Sequence, residues 1–133
     1  MRWFLLDASV ALRVILGHSP AAATWIDTVN GDPDQGIIAS RVLKTEMTRV
    51  LRRERLPVSR RDALLDYVRL IPISDAVLAA AEAIVPHIKS LDAIHLASLI
   101  HSGIDATVVT HDATMAHVAE LLGYPVIDPV TDG

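Results

Sequence analysis

In the stretch VLKTEMTRVL, residues 42–51, apolar side chains recur every three and four positions, the pattern of a helix with one buried stripe. Glu46 falls inside that stripe, on the row of Val42 and Val50. A carboxylate aimed at a core costs several kcal/mol unless something pairs with it. Mid-helix, Glu46 is placed neither to cap nor to favour the helix dipole, and its plain structural partner would be a folded-back Arg. Three further acids have simpler duties open to them. Asp7 follows RWFLL and Asp112 follows ATVVT by two residues, so each can cap the helix after it. Asp92 sits in the first turn of SLDAIHLASLIHSG, where an acid favours the dipole by ~0.3–1 kcal/mol. That helix is apolar on nearly every side, however, and Asp92 projects beside Leu96 and Leu99. A set of buried acids in one small fold makes sense as an oxygen cage for a hard cation, Mg²⁺ or Mn²⁺. Zinc would want the His or Cys ligands that no motif here supplies. Two carboxylates about 5 Å apart repel by roughly 3 kcal/mol at an effective dielectric near 20, so without metal one of them should hold a proton.

The elements that must position these acids alternate between strands and helices. Residues 2–6, 36–40, 106–110 and 125–128 read as short strands, and PIS (72–74) as a minimal one. Helices are expected over 8–16, from Ser19-Pro20 to Gly31, from Ser40 to Pro57, and over RRDALLDYVRLI behind Ser59. Others follow from Ser74 to Pro86, from Ser90 to Gly103, and over 113–122. Continuous apolar strands between helices indicate a short, mostly parallel sheet covered on both faces, a three-layer α/β/α sandwich. Ligands in such sheets sit beyond the carboxyl ends of the strands, where Asp7 and Asp112 fall. No repeat, low-complexity tract or linker divides residues 1–133, which read as a single domain.

Hydrophobic residues make up 51% of the chain, ample for a core and enough to suggest a partner surface. Aromatics are only 4%, which argues against affinity built on base stacking. There is no cysteine, hence no disulfide, thiolate zinc site or cysteine nucleophile. Asp7 and Arg13 interrupt the apolar N-terminus, so it does not read as a signal peptide, and no run is long enough to span a bilayer. The expectation is a cytoplasmic protein. Net charge is −4, yet eight of the 12 Lys and Arg lie within residues 41–61, opposed there only by Glu46 and Glu54. Arg41, Lys44, Arg49, Arg52 and Arg53 on the Glu46 helix form a patch suited to phosphates.

With those residues in place, LLDASV, TEM around Glu46, SLDAIHLA and VVTHD resemble, in order and separation, the PIN-domain ribonucleases, and more narrowly the VapC-type toxins of toxin–antitoxin pairs. The resemblance spans essentially the whole chain. It implies that Asp7, Glu46, Asp92 and Asp112 form an acidic quartet holding one or two Mg²⁺ or Mn²⁺ ions and cleaving RNA endonucleolytically. Ser9 and Thr110 match hydroxyl positions that orient the acids or bound waters, and His95 matches a structural position. A homodimer and a VapB-type antitoxin, its C-terminal segment placing an Arg or Lys at the acids, are the implied partners.

Other readings compete less well. A phosphoryl-accepting receiver domain wants an acid pair after the first strand and a Lys after a late one, and neither is present. A haloacid-dehalogenase-type phosphatase needs Asp-x-Asp where Asp7-Ala8-Ser9 stands. A catalytically inactive module binding RNA or protein through Arg41 to Arg61 would leave the acidic quartet as unexplained burial of charge. His111 is expected to face solvent without a role, and Glu54 to form a surface ion pair. Asp105, Asp128 and Asp132 are expected to serve turns and solubility.

Overall fold

A computed structural model describes residues 1–132, the side chain of Asp132 excepted; Gly133 and that side chain lie outside the described residues. The strands are β1 (Arg2–Leu6), β2 (Gln35–Ser40), β3 (Val68–Ile71), β4 (Ala106–Val109) and β5 (Val126–Ile127). They form one sheet in the order β3-β2-β1-β4-β5, and every pairing is parallel. The helices are α1 (Ala8–Ile15), α2 (Pro20–Asn30), α3 (Val42–Arg53), α4 (Arg60–Leu65), α5 (Asp75–Glu82), α6 (Ser90–Ser102), α7 (Ala113–Leu121) and α8 (Pro129–Asp132).

Alternation along the strands sorts two cores. Phe4, Leu6, Ile37, Ala39 and Val109 face α1 to α4, meeting Val10, Ile26, Met47, Leu51 and Leu64. Leu5, Ile38, Ala106 and Val108 face α6 and α7, meeting Leu96, Leu99, Met115 and Val118. Because side chains alternate with a period of two, apolar runs such as RWFLL can feed both layers at once. The chain winds outward through β2 and β3 on one side of β1, then through β4 and β5 on the other. The strand order thus reverses between β1 and β4, the place where such sheets open a crevice at their carboxyl ends.

Several boundaries differ from those the sequence suggests. Of the segment RRDALLDYVRLI, only the first half is helical; Val68–Ile71 is β3, paired with Ile37–Ser40. In VRLI, Val68 and Leu70 pack on one core while Arg69 lies over the Trp3 ring, an alternation that sheet pairing rewards over helix propensity. Pro72 follows at once and cannot donate to a ladder, so residues 72–74 lead out of the sheet. Lys89, not Ser90, holds the cap position of α6, and Ser59 makes no side-chain cap bond to α4. Ser19 and Ser74 do cap, accepting from the backbone N–H of Ala22 and Val77. Helix α8 has no counterpart among the expected elements. Asp128 accepts the N–H of Val130 ahead of it and Pro129 opens it. Among the described residues, no helix is long and apolar enough to cross a membrane.

The sheet also fixes one glycine. Gly36 lies opposite Trp3, and a Cβ there would stand 2.8 Å from Trp3 Cε3. Gly36→Ala is therefore expected to cost about 1–3 kcal/mol in denaturant unfolding. An unchanged midpoint would contradict the placement of the Trp3 ring.

Candidate functional site

Asp7, the first residue after β1, takes the cap position of α1, yet its side chain makes no capping bond. It turns to its neighbours instead. Asp7 Oδ2 accepts from Ser9 Oγ at 2.8 Å and from Thr110 Oγ1 at 2.7 Å. Ser9 Oγ in turn accepts from the backbone N–H of His111 at 2.8 Å, and Thr110 Oγ1 from that of Asp112 at 3.1 Å. The two hydroxyls thus tie the end of β1 to the loop after β4 and fix the carboxylate between them. Asp7 is 1% exposed, and its other oxygen, Oδ1, has no hydrogen-bond partner among the described residues. A buried carboxylate oxygen without a donor is a costly arrangement that calls for a cation or an ordered donor.

Glu46 finds its partner in His95. The Nε2–H of His95, on α6, donates to Glu46 Oε1 at 2.6 Å, and the same nitrogen lies 3.9 Å from Asp7 Oδ1. The imidazole is fully buried and its Nδ1 has no partner among the described residues. Neither a folded-back Arg nor solvent answers Glu46; a histidine from the opposite helical layer does. Burial disfavours a charged His95, but the hydrogen bond to Glu46 and the charges of Asp7, Glu46 and Asp92 outweigh it, so its pKa is raised.

Asp92 and Asp112 complete the set. Asp112 caps α7, its Oδ1 accepting from the backbone N–H of Met115 at 3.0 Å. Capping and ligand binding are compatible here, since the other oxygen remains. Asp92 lies in the first turn of α6, where the dipole alone would ease its ionisation. Its pKa is instead pushed up to about 6, by burial first and then by Asp7, Asp112 and Glu46, with His95 opposing. Helix-dipole duty does not account for this acid. All four carboxylates line one cavity of about 330 Å³, with Ala8, Ser9, Lys89, Ser90 and Leu91 completing its wall.

The donor set fits a hard divalent cation in kind: carboxylate oxygens, one of them buried and unpaired, and no thiolate. The acids are nonetheless not drawn into a ready ligand shell. Among the described residues, no three or more His, Asp or Glu side chains stand close enough to hold an ion together. Three of the four are held by donors of their own: Glu46 by His95, Asp7 by the Ser9 and Thr110 hydroxyls, and Asp112 by the Met115 N–H.

A PIN-domain family model matches residues 4–121, nearly the whole described fold. The chain belongs to the PIN-domain family. Solved structures agree with the architecture of this PIN domain. VapBC2 from Rickettsia felis, bound to a DNA fragment from its promoter, superposes with a TM-score of 0.73 at 14% identity, covering 95% of this chain and 98% of that one. A toxin–antitoxin complex from Klebsiella pneumoniae gives 0.67 at 20% identity, covering 94% and 96%. Mycobacterium tuberculosis VapC20, a toxin that cleaves the sarcin–ricin loop, gives 0.66 at 17%, covering 91% and 95%. At such identities the likeness carries the fold. No curated protein matches significantly in sequence.

Two further residues differ from expectation. His111 does not simply face solvent: its Nδ1 meets Asp128 Oδ2 at 2.8 Å, tying the Asp112 loop to the start of α8. Asp128 is accordingly more than a turn residue, and the bonds from His111 and from the Val130 backbone, prevailing over its partial burial, hold its pKa below the ordinary value. His111 and Asp128 are 17 residues apart, so only the β4–β5 pairing brings them together. Arg53 and Glu54 form the expected exposed ion pair at 3.1 Å.

The pKa directions fix a pH dependence. Folded Asp92 keeps a proton that the unfolded chain releases at its ordinary 3.8, so its contribution is lost as pH rises towards about 6. His95, also raised, contributes fully below its ordinary 6.5 and loses that contribution as pH rises through its folded value. Asp128, shifted down, contributes fully above its ordinary 3.8 and loses that contribution only as pH falls below it, so it adds no slope between pH 4 and 7. The Tm of the protein in EDTA is therefore expected to fall as pH rises from about 4 to 7, and Asp92→Asn to flatten the lower part of that slope. A Tm that rises over this range, or an unaltered slope in the variant, would contradict the assignment.

Proposed function

We propose that this PIN domain is a divalent-metal-dependent endoribonuclease, the toxin of a toxin–antitoxin pair, acting in the cytoplasm and inhibited by a VapB-type antitoxin. The observation that carries the reading is the convergence of four acids from β1, α3, α6 and the β4–α7 loop on one cavity, with the buried Oδ1 of Asp7 left unpaired. Asp7, Glu46, Asp92 and Asp112 would hold Mg²⁺ or Mn²⁺. The bound ion supplies an activated water and a counter-charge for the phosphoryl oxygens of the scissile phosphodiester.

The chain's own residues prepare that chemistry. Ser9 and Thr110 keep Asp7 Oδ2 engaged, which leaves Oδ1 as the oxygen free to take a cation. His95 holds Glu46 until a stronger positive charge competes for the carboxylate. Asp92, whose pKa is pushed up to about 6, carries a proton in mildly acidic solution that a bound cation would displace, so metal affinity would fall as pH drops through that value. Lys89 at the cavity wall adds a cation suited to a substrate phosphate. Exposed Leu78 and Val85, beside an apolar groove between α5 and α6, suit a protein contact such as a second copy in a homodimer.

Asn caps a helix about as well as Asp. Asp112→Asn keeps the α7 cap, and Asp7→Asn keeps one side-chain oxygen to accept from Ser9 and Thr110. Both are thus expected to leave the fold intact, by circular dichroism and thermal melting, while lowering Mg²⁺-dependent cleavage by at least about 100-fold. Incubation with total cellular RNA in Mg²⁺ or EDTA, with new 5′ ends mapped, is the direct assay. Metal-dependent ends that appear with wild type and persist at equal rate with both variants would sink the catalytic assignment.

A further inference from the structure

On α3, at 100° per residue, Arg41, Lys44, Thr45, Thr48, Arg49 and Arg52 share one arc, and Glu46 lies outside it. Together with Arg61 from α4 these residues line a separate cavity of about 260 Å³, which has no residue in common with the acidic one. From residue 41 to residue 52 the arc runs about 16 Å along the helix. Its cations are largely unanswered. Among the described residues Lys44, Arg49 and Arg52 make no ion pair, and the only acid engaged is Asp62, 3.4 Å from Arg61. Arg53, also expected to bind phosphate, is absent from this cavity and spent on Glu54.

The two threonines explain how such a surface keeps its shape. Arg41 Nη1 donates to Thr45 Oγ1 at 3.2 Å. Arg61 Nη1 donates to Thr48 Oγ1, whose own hydroxyl donates to the Lys44 carbonyl at 2.6 Å. Each threonine thus holds an arginine in place, and part of the ordering cost of binding an anion is met before the anion arrives.

We propose that this groove is a phosphate track for single-stranded RNA, a second binding surface that holds the substrate strand while the acidic cavity acts on it. The proposal rests on the ribonuclease reading for the identity of its ligand. The lining decides between RNA and an acidic protein segment. It consists of Arg, Lys and Thr alone, offering an amphipathic helix nothing apolar to bury, whereas a sugar–phosphate backbone needs only charge and hydrogen bonds. With no aromatic side chain present, bases cannot stack there, so the track grips without reading sequence. It requires a substrate longer than the few nucleotides the acidic cavity can hold.

The test is anisotropy of a labelled single-stranded RNA of about 20 nucleotides, titrated in EDTA over a range of salt so that cleavage plays no part. Single-strand phosphate contacts each contribute about 0.7 to the slope of log K against log salt. The exposed-site variant Arg49→Ala/Arg52→Ala is expected to bind more weakly with a slope shallower by about 1.4. Thr48→Val keeps every charge, and should weaken binding by about 2- to 5-fold with the slope unchanged. Unchanged affinity and slope in the double variant would overturn the track. So would normal RNA binding combined with lost affinity for a poly-glutamate peptide, which would assign the groove to protein. RNA binding with the expected slopes but no cleavage by wild type in Mg²⁺ would uphold the track and overturn the nuclease reading instead.

Discussion

The hydrogen bond between His95 and Glu46 joins the two halves of this molecule where they are electrostatically least compatible. Helix α3 belongs to the core on one face of the sheet and α6 to the core on the other. They meet beyond the carboxyl ends of the strands, and there each brings an acid towards Asp7. Four carboxylates around one cavity repel, and His95, fully buried beside them, is able to carry a compensating proton. Its hydrogen bond to Glu46 and its proximity to Asp7 offset part of that repulsion where the two layers meet. The remaining strain is visible in Asp92, which binds a proton far more readily than a surface aspartate does.

That crowding follows from topology. Strand order reverses between β1 and β4, so the loops leaving their ends diverge and open a crevice. Asp7 and Asp112 occupy those two loops, and the Ser9 and Thr110 hydroxyls bridge them. Most of the positive charge is gathered on and around α3 and α4, while Lys89 alone of the cations lines the acidic cavity among the described residues. A chain of modest net negative charge can therefore present both a cation-seeking pocket and an anion-seeking groove.

Much of this was legible in the sequence for identifiable reasons. Apolar runs ending in Asp7 and near Asp112 marked buried parallel strands, and Glu46 betrayed itself by sitting on an oily helical face. The order of the four acids matched a family pattern, and the fold it implied is the one observed. What escaped depended on pairing across long separations. Val68–Ile71 looked like the end of a helix because only β2, some thirty residues earlier, makes it a strand. His95 was placed as structural, yet nothing local showed that it would meet Glu46, 49 positions away. The His111–Asp128 pair and α8 were missed likewise, though Asp-Pro at 128–129 was an available helix-start signal. The clustering of cations within residues 41–61 was visible in the sequence, whereas which of them share one groove, with Arg61 in it and Arg53 outside, depended on the packing of α4 on α3.

Thermal unfolding in EDTA and in millimolar Mg²⁺ or Mn²⁺, at one pH near neutrality, probes the central claim without any assay of catalysis. If the acidic cavity binds the ion, Tm rises with metal concentration as mass action requires, and Asp7→Asn abolishes most of the rise. A Tm indifferent to metal, or one that rises equally in wild type and Asp7→Asn, would show that the four carboxylates are reconciled by His95 and protons alone.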